Sequence, residues 1–108
     1  MQLKDRVGIY EGVCAITKPI KTNVNIKAEV KSNGNIHIEF SAKIMFINKV
    51  KKFDNSLDPN SESPTFQITI ENKTFNISFN SNESINCDLP SSIDNVKFNQ
   101  NNIILTRV

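Results

Sequence analysis

The sequence predicts an all-β, antiparallel domain, and three observations lead to this fold class. Apolar and polar residues alternate over several segments, which is typical of strands with one buried and one solvated face. No segment of helical length carries an apolar stripe with a 3.6-residue period. The 108 residues suffice for one hydrophobic core, so we expect a single domain, residues 1–108. The expected architecture is a meander of about eight strands, closed as a small up-and-down barrel or flattened into a β-sandwich.

Three strands are expected in the first half of the chain. Residues 7–16 are rich in β-branched side chains, which favour extended backbone. The segments 23–31 and 36–47 alternate clearly, and their apolar residues fall at even-numbered positions. This alternation places the apolar side chains of both segments, up to Phe46, on one buried face.

The register of the hairpin between these two segments follows from parity. Cross-strand partners lie on the same face of a sheet, so Val30 should pair with Ile36. This pairing requires an odd number of loop residues. We therefore expect a three-residue loop that ends at Gly34 in the left-handed conformation.

A second hairpin is expected between residues 66–70 and 75–79. The apolar residues are even-numbered in the first strand and odd-numbered in the second, so the loop must be even. We expect Ile70 to pair with Phe75 across a two-residue turn formed by Asn72 and Lys73.

Shorter strands complete the expected meander. Residues 85–89 alternate, and Pro90 ends that strand. The segment 96–98 should begin a final hairpin that returns through residues 103–105.

The segment 48–64 is expected to be a long polar connection. Loops of this length are uncommon in compact domains, and this one would be either a flexible insertion or a lid or partner-contact loop. Val50, Phe53 and Leu57 are spaced so that a short helical turn would direct them inward. The candidate contacts with a partner protein in this loop are Lys49, Lys51, Lys52 and Phe53.

Composition and charge narrow the classes of partner and compartment. A net charge of +2 gives little electrostatic attraction toward nucleic acid. No apolar run exceeds four residues, as in Ile44-Met45-Phe46-Ile47, which is far shorter than the roughly 20 residues of a membrane span. The first six residues contain no apolar signal region, so we expect a cytoplasmic protein, or a secreted one if a signal peptide has been removed. We expect neither nucleic acid nor a membrane as a partner, and the oligomeric state stays open.

Few residues are candidates for catalysis or metal binding. The sole histidine, His37, lies on the polar face of its strand, and its spacing from Cys14 and Cys87 suggests neither a nucleophile pair nor a zinc site. Both cysteines are expected to be reduced thiols, a disulfide being the alternative in a secreted protein. We therefore expect no catalytic residues, no metal and no cofactor.

The phenylalanines allow two interpretations. Phe40, Phe66, Phe75 and Phe79 occupy inward positions of the predicted strands. They would either fill the core or line an apolar pocket inside an open barrel. Binding of nucleic acid would need aromatic residues interleaved with cations on an exposed face, which this sequence does not show.

The first and last strands resemble the signature of lipocalin-like, calycin-type barrels. The first strand reads Gly8-Ile9-Tyr10-Glu11-Gly12, and the last carries Arg107. In that family an aromatic residue follows a glycine in the first strand, and an arginine from the final strand packs across its ring. The resemblance implies an eight-stranded up-and-down barrel whose interior holds a small ligand. The ligand-binding residues would then be Tyr10, Phe40, Phe66, Phe75, Phe79 and Arg107.

Two functions from different classes remain. The first is a non-enzymatic binding protein whose barrel accommodates a small apolar or amphipathic ligand. The second is a small protein-binding inhibitor, such as a phage or bacterial immunity or anti-defence protein, which would act through an edge strand or the 48–64 loop.

Overall fold

Ten strands and one short 3₁₀ helix form the described part of this computed structural model, which covers residues 1–18, 20–44, 46–80, 83–93, 96–100 and 102–108. The 3₁₀ helix spans Leu3–Arg6. The strands are β1 (Gly8–Lys18), β2 (Thr22–Val30), β3 (Asn35–Ile44), β4 (Ile47–Ser56), β5 (Thr65–Ile70), β6 (Lys73–Phe79), β7 (Ser84–Asp88), β8 (Ser92–Ile93), β9 (Val96–Phe98) and β10 (Asn102–Arg107).

The main sheet is antiparallel and curls into a half-barrel with the order β4-β3-β2-β1-β10-β7-β6-β5. An eight-stranded up-and-down barrel has the same cyclic order, with its first and last strands paired. Here that pair is β1 and β10, in which Tyr10 lies opposite Arg107. The sheet is open between β4 and β5, which are its two edges. The predicted all-β antiparallel meander is therefore confirmed, in the form of a half-barrel.

The two ends of the half-barrel differ. At one end the 3₁₀ helix packs under the connection from β4 to β5, and the backbone N–H of Leu3 donates to the carbonyl of Ser61 at 2.9 Å. We call this the closed end. The opposite end, the mouth, carries the turns from β1 to β2, from β3 to β4 and from β5 to β6. The short β8–β9 hairpin lies at the mouth, where β9 pairs with the last residues of β1.

The core lies on the concave face of the sheet, where the alternating apolar side chains meet. Ile36, Ile68 and Ile77 are among the most completely buried side chains. The predicted β2–β3 register is confirmed, because Val30 pairs with Ile36. Gly34, at φ 89°, ends the loop as expected. A Cβ atom at this glycine would lie 2.1 Å from the carbonyl oxygen of Leu57.

The prediction of a long loop over residues 48–64 is wrong in its first half, because β4 occupies Ile47–Ser56. No helical turn directs Val50 inward, and its side chain is 50% exposed. Cross-strand partners of opposite charge on the outer face support the strand, since Glu39 lies opposite Lys52 and His37 opposite Asp54. The candidate partner contacts Lys49, Lys51, Lys52 and Phe53 therefore belong to an edge strand and not to a loop.

Phe46 is not on the buried face that the alternation predicts. Ile44 pairs with Ile47, so the chain reverses in a two-residue turn that includes Phe46. Its backbone has φ 68°, and its side chain is 94% exposed. The strand ends earlier than the apolar run suggests, because the run itself contains the turn.

The β5–β6 hairpin has the predicted parity, but its register is shifted by two residues. Ile70 pairs with Lys73 and Ile68 with Phe75. The two-residue turn is thus Glu71-Asn72, with Glu71 at φ 56°. A shift by two residues keeps every apolar side chain on its face, so alternation alone does not distinguish the two registers.

The expected final hairpin between 96–98 and 103–105 does not form. β9 instead pairs with β8 and with the end of β1, where Phe98 lies opposite Ile16. β10 fits between β1 and β7, and Ile103 lies opposite Cys87.

Candidate functional site

A cavity of about 300 Å³ opens at the mouth of the half-barrel, between the β3–β4 hairpin and the β8–β9 hairpin. Its volume is at the lower end of the range for small-molecule sites. Most of the wall is apolar. The apolar lining residues are Val24, Phe40, Ala42, Ile44, Phe53, Ile93, Val96 and Phe98.

Phe40 lies at the centre of this wall and connects its two sides. Its ring centroid is 6.1 Å from that of Phe53 on β4 and 6.1 Å from that of Phe98 on β9. The Phe40 and Phe53 rings are 72° apart, an edge-to-face arrangement that aromatic pairs favour. The cavity is thus bounded by aromatic faces from three strands.

The polar part of the wall consists of Ser41 and two lysines, Lys49 and Lys51. β3 residues that face the concave side lie opposite odd-numbered residues of β4, so Ala42 faces Lys49 and Phe40 faces Lys51. The Lys51 ammonium lies 3.5 Å from the Glu71 carboxylate across the opening of the half-barrel. For Lys49 the structure records no ion pair with a described residue. The cavity therefore combines an apolar body with a cationic rim.

The β8–β9 hairpin is held over the cavity from two sides. The Lys73 ammonium donates to the backbone carbonyl of Ser92 and, at 2.8 Å, to its hydroxyl. On the other side, the backbone N–H of Asn99 donates to the carbonyl of Ala15 at 2.8 Å. These contacts attach the hairpin to β6 and to β1, so it forms a wall of the site.

A second aromatic cluster fills the closed end. The Tyr10 and Phe79 ring centroids are 6.0 Å apart, and those of Phe66 and Phe79 are also 6.0 Å apart. The Arg6 guanidinium lies 4.7 Å from the Phe79 ring centroid. The Arg107 guanidinium lies 5.4 Å from that of Tyr10. This cluster is packed core, with cations stacked against two of its rings.

Only one of the six predicted ligand-binding residues, Phe40, lines the mouth cavity. Tyr10, Phe66, Phe75 and Phe79 are buried in the core away from it, and Arg107 covers Tyr10 at the closed end. Of the predicted partner contacts, by contrast, Lys49, Lys51 and Phe53 lie on the cavity wall. The structure thus places Phe40 from the first predicted set beside Lys49, Lys51 and Phe53 from the second.

The histidine lies outside the cavity, on the convex face of β3. His37 Nδ1 is 2.9 Å from Asp54 Oδ1, and Nε2 is 3.0 Å from Glu39 Oε1. Hydrogen bonds to these two carboxylates raise the pKa of His37 above its ordinary value. The described ranges contain no group of three or more His, Cys, Asp or Glu side chains arranged to hold a metal ion.

Cys14 and Cys87 are both free thiols within the core. Burial raises the pKa of Cys87 to about 12, and it also raises the pKa of Cys14. Both residues are therefore protonated at neutral pH and are poor nucleophiles.

The β8–β9 wall and the inward direction of the β4 lysines are the parts of the site that the sequence analysis missed. β4 has no apolar alternation on its inner face, which carries lysines and Asn55 beside Phe53. The complementary charges on the outer faces of β3 and β4 are a signal from which the strand β4 could have been predicted. No such signal predicts that 96–98 pairs with β1.

Comparison of the chain with protein-family models, curated proteins and solved structures finds no match. The fold and the site define an antiparallel half-barrel with a cavity at its mouth. A helix that could traverse a lipid bilayer is absent from the described ranges.

Proposed function

We propose that this chain is a non-enzymatic binding protein that holds a small amphipathic ligand in the mouth cavity. The observation that carries the proposal is a cavity of about 300 Å³ with an apolar, aromatic wall and lysines on one side. Ligand sites of this kind typically combine an apolar lining with a few polar groups that fix orientation.

Apolar contact would supply most of the affinity. Each 100 Å² or so of apolar ligand surface that is buried contributes about 2.5 kcal/mol before the entropic costs of association. A charged group about 4 Å from Lys49 contributes about 1 kcal/mol in a water-like environment. The lysines would therefore orient the ligand, and the aromatic wall would hold it.

We also propose that the half-barrel is similar to lipocalin-like barrels, and two observations support this. The strand order is that of an up-and-down barrel opened between β4 and β5. The Arg107 guanidinium lies over the Tyr10 ring, which is the contact that the resemblance implies.

The test is a binding titration with 1-anilinonaphthalene-8-sulfonate, a fluorescent amphipathic anion, combined with native mass spectrometry of the purified protein. Ala42→Phe fills the cavity and should weaken binding of the probe at least tenfold. Val13→Phe adds the same ring on the exposed outer face of β1 and should leave binding unchanged. If Ala42→Phe binds the probe like the wild type, the mouth cavity is not the site and the proposal is wrong.

Protein binding through β4 is the second candidate function. Its supporting observation is that β4 is an edge strand, and edge strands accept an added strand from a partner. The side chain of Asn55 already spans from this edge to β5, which leaves less free backbone than an open edge has. Ligand binding is therefore the function that the geometry supports better.

A further inference from the structure

The tip of the β3–β4 hairpin combines two features that are unfavourable for folding. Phe46 has φ 68°, a conformation that Gly and Asn adopt far more readily than a bulky residue. Its ring is 94% exposed, and the neighbouring Ile47 is 58% exposed. Neither residue packs on the core from this position, so the fold does not explain an aromatic residue here.

The surroundings of the tip are cationic. Residues 12–28 carry three lysines and residues 40–53 carry four, and neither segment contains an Asp or Glu. Because β2 and β3 are neighbours in the sheet, the β1–β2 turn and the β3–β4 turn lie side by side at the mouth. The exposed lysines of these two turns are Lys18, Lys21, Lys43 and Lys49.

The opposite end of the molecule has a different charge pattern. Acidic and basic side chains are mixed there: Asp5, Asp58 and Glu62 lie in the 3₁₀ helix and in the connection from β4 to β5, together with Lys4 and Arg6 of the same helix. The turns at the mouth therefore carry the clearer excess of positive charge, although Glu71 in the β5–β6 turn is acidic. An anionic surface would attract the mouth end first.

We propose that this tip docks on the surface of an anionic lipid membrane. The side chains of Phe46 and Ile47 would enter the region between headgroups, and the surrounding lysines would contact lipid phosphates. The tip is convex, because it is the projecting turn of a hairpin. A fluid lipid surface accepts a convex apolar tip without a matching groove, whereas an acidic protein would have to provide one. This inference does not depend on the proposed ligand function.

Both components are needed for measurable affinity. A lysine near an anionic membrane surface contributes about a fivefold change in affinity, and this effect falls off within a Debye length. Burial of an aromatic side chain contributes roughly tenfold or more. Neither alone gives firm attachment, so binding should need anionic lipid and should weaken in high salt.

The experiment is co-sedimentation of the full chain with vesicles of phosphatidylcholine alone and of phosphatidylcholine mixed with phosphatidylglycerol. The chain should bind the mixed vesicles in low salt and bind the neutral vesicles at least tenfold more weakly. Phe46→Ser should reduce binding to the mixed vesicles about tenfold. Absence of binding to mixed vesicles, which is also the result expected if the tip fits an acidic protein instead, would overturn the proposal.

Matched variants separate the tip from general effects of charge and apolarity. Ile47 and Ile104 are both 58% exposed, so Ile47→Ser should weaken vesicle binding and Ile104→Ser should not. Lys43→Glu at the mouth should weaken it more than Lys4→Glu at the closed end. Equal losses within either pair would show that the mouth is not the docking surface. Circular dichroism of each variant confirms that the fold is kept.

Discussion

The side-chain amide of Asn55 on β4 makes two hydrogen bonds with the backbone of Thr69 on β5. Its Nδ2 donates to the Thr69 carbonyl at 3.2 Å, and the Thr69 N–H donates to its Oδ1 at 3.1 Å. This is the pattern of a backbone β-bridge, supplied by a side chain across the opening of the half-barrel. The Lys51–Glu71 ion pair spans the same opening nearer the mouth.

Removing this side-chain bridge should loosen the opening without unfolding the protein. Asn55→Ala loses both hydrogen bonds, which together are worth about 1–2 kcal/mol because the groups are partly solvated. We expect a loss of stability of that size in urea unfolding and faster hydrogen exchange of the Thr69 amide. Asn48→Ala, an exposed position on the same strand, serves as the control. Unchanged exchange at Thr69 would mean that the bridge does not hold β4 to β5.

The contact between Arg107 and Tyr10 should stabilise the junction of the first and last strands of the half-barrel. Arg107 Nη2 donates to the carbonyl of Val7 at 2.9 Å and to Tyr10 Oη at 3.2 Å. The Tyr10 hydroxyl in turn donates to the carbonyl of Arg6 at 2.7 Å. The guanidinium thus ties β10 to the segment that leads into β1.

Arg107→Met should therefore lower the free energy of unfolding by about 1.5–3 kcal/mol, the range for hydrogen bonds made by charged groups. Arg107→Lys should recover only part of this loss, because an ammonium lacks the planar fork that stacks on the ring while it donates. Urea unfolding measures both changes, and Lys97→Met is a control for removing a cation from an exposed site. Full recovery by lysine would contradict the stacked geometry.

The parts of the fold that the sequence predicted correctly are those in which two independent constraints agree. In the β2–β3 hairpin, clear alternation fixes the face, and Gly34 fixes the loop length. In the β5–β6 hairpin, alternation fixes the face alone. The register there is two residues from the predicted one, and Lys73, expected in the turn, instead starts β6 and bonds to Ser92. That contact joins distant segments, so local patterns do not reveal it.

The candidate site was harder to predict for a related reason. Inward positions of β4 carry Lys49 and Lys51, and a polar inner face does not resemble a strand on a core. Lysines are tolerated at these inward positions because β4 is an edge strand and this part of it lies at the mouth. Their ammonium groups can therefore reach water. The position of an edge depends on the whole sheet order, which no single segment encodes. Phe46 shows the converse case, an apolar residue that the fold leaves in solvent.

His37 bridges two carboxylates on the outer face of the sheet, and this gives the molecule a defined pH dependence. Hydrogen bonds to Asp54 and then to Glu39 raise the pKa of His37 above its ordinary value of 6.5. The pKa of Glu39 is lowered by His37, and that of Asp54 is lowered by hydrogen bonds from Asn35 and His37. A neutral imidazole has only one N–H, so it can donate to just one of the two carboxylates.

The sign of the effect on stability follows from these shifts. A raised histidine pKa stabilises the fold fully below 6.5, and the stabilisation is lost as pH rises through the raised value. Lowered carboxyl pKa values stabilise the fold above the ordinary 3.8 of Asp54 and 4.5 of Glu39, and this is lost as pH falls through the lowered values. Both contributions are therefore complete only between about 4.5 and 6.5.

His37→Gln should consequently destabilise the protein most within this pH window and least at alkaline pH. Glutamine can still form hydrogen bonds, but it carries no charge at any pH, so it removes the titration and keeps a polar side chain. Thermal unfolding of wild type and variant at a pH inside the window and at an alkaline pH measures the difference directly. Any histidine titration that affects stability can be assigned to His37, because the sequence contains no second histidine. A difference in melting temperature that is equal at the two pH values would show that the charged bridge does not contribute to the fold.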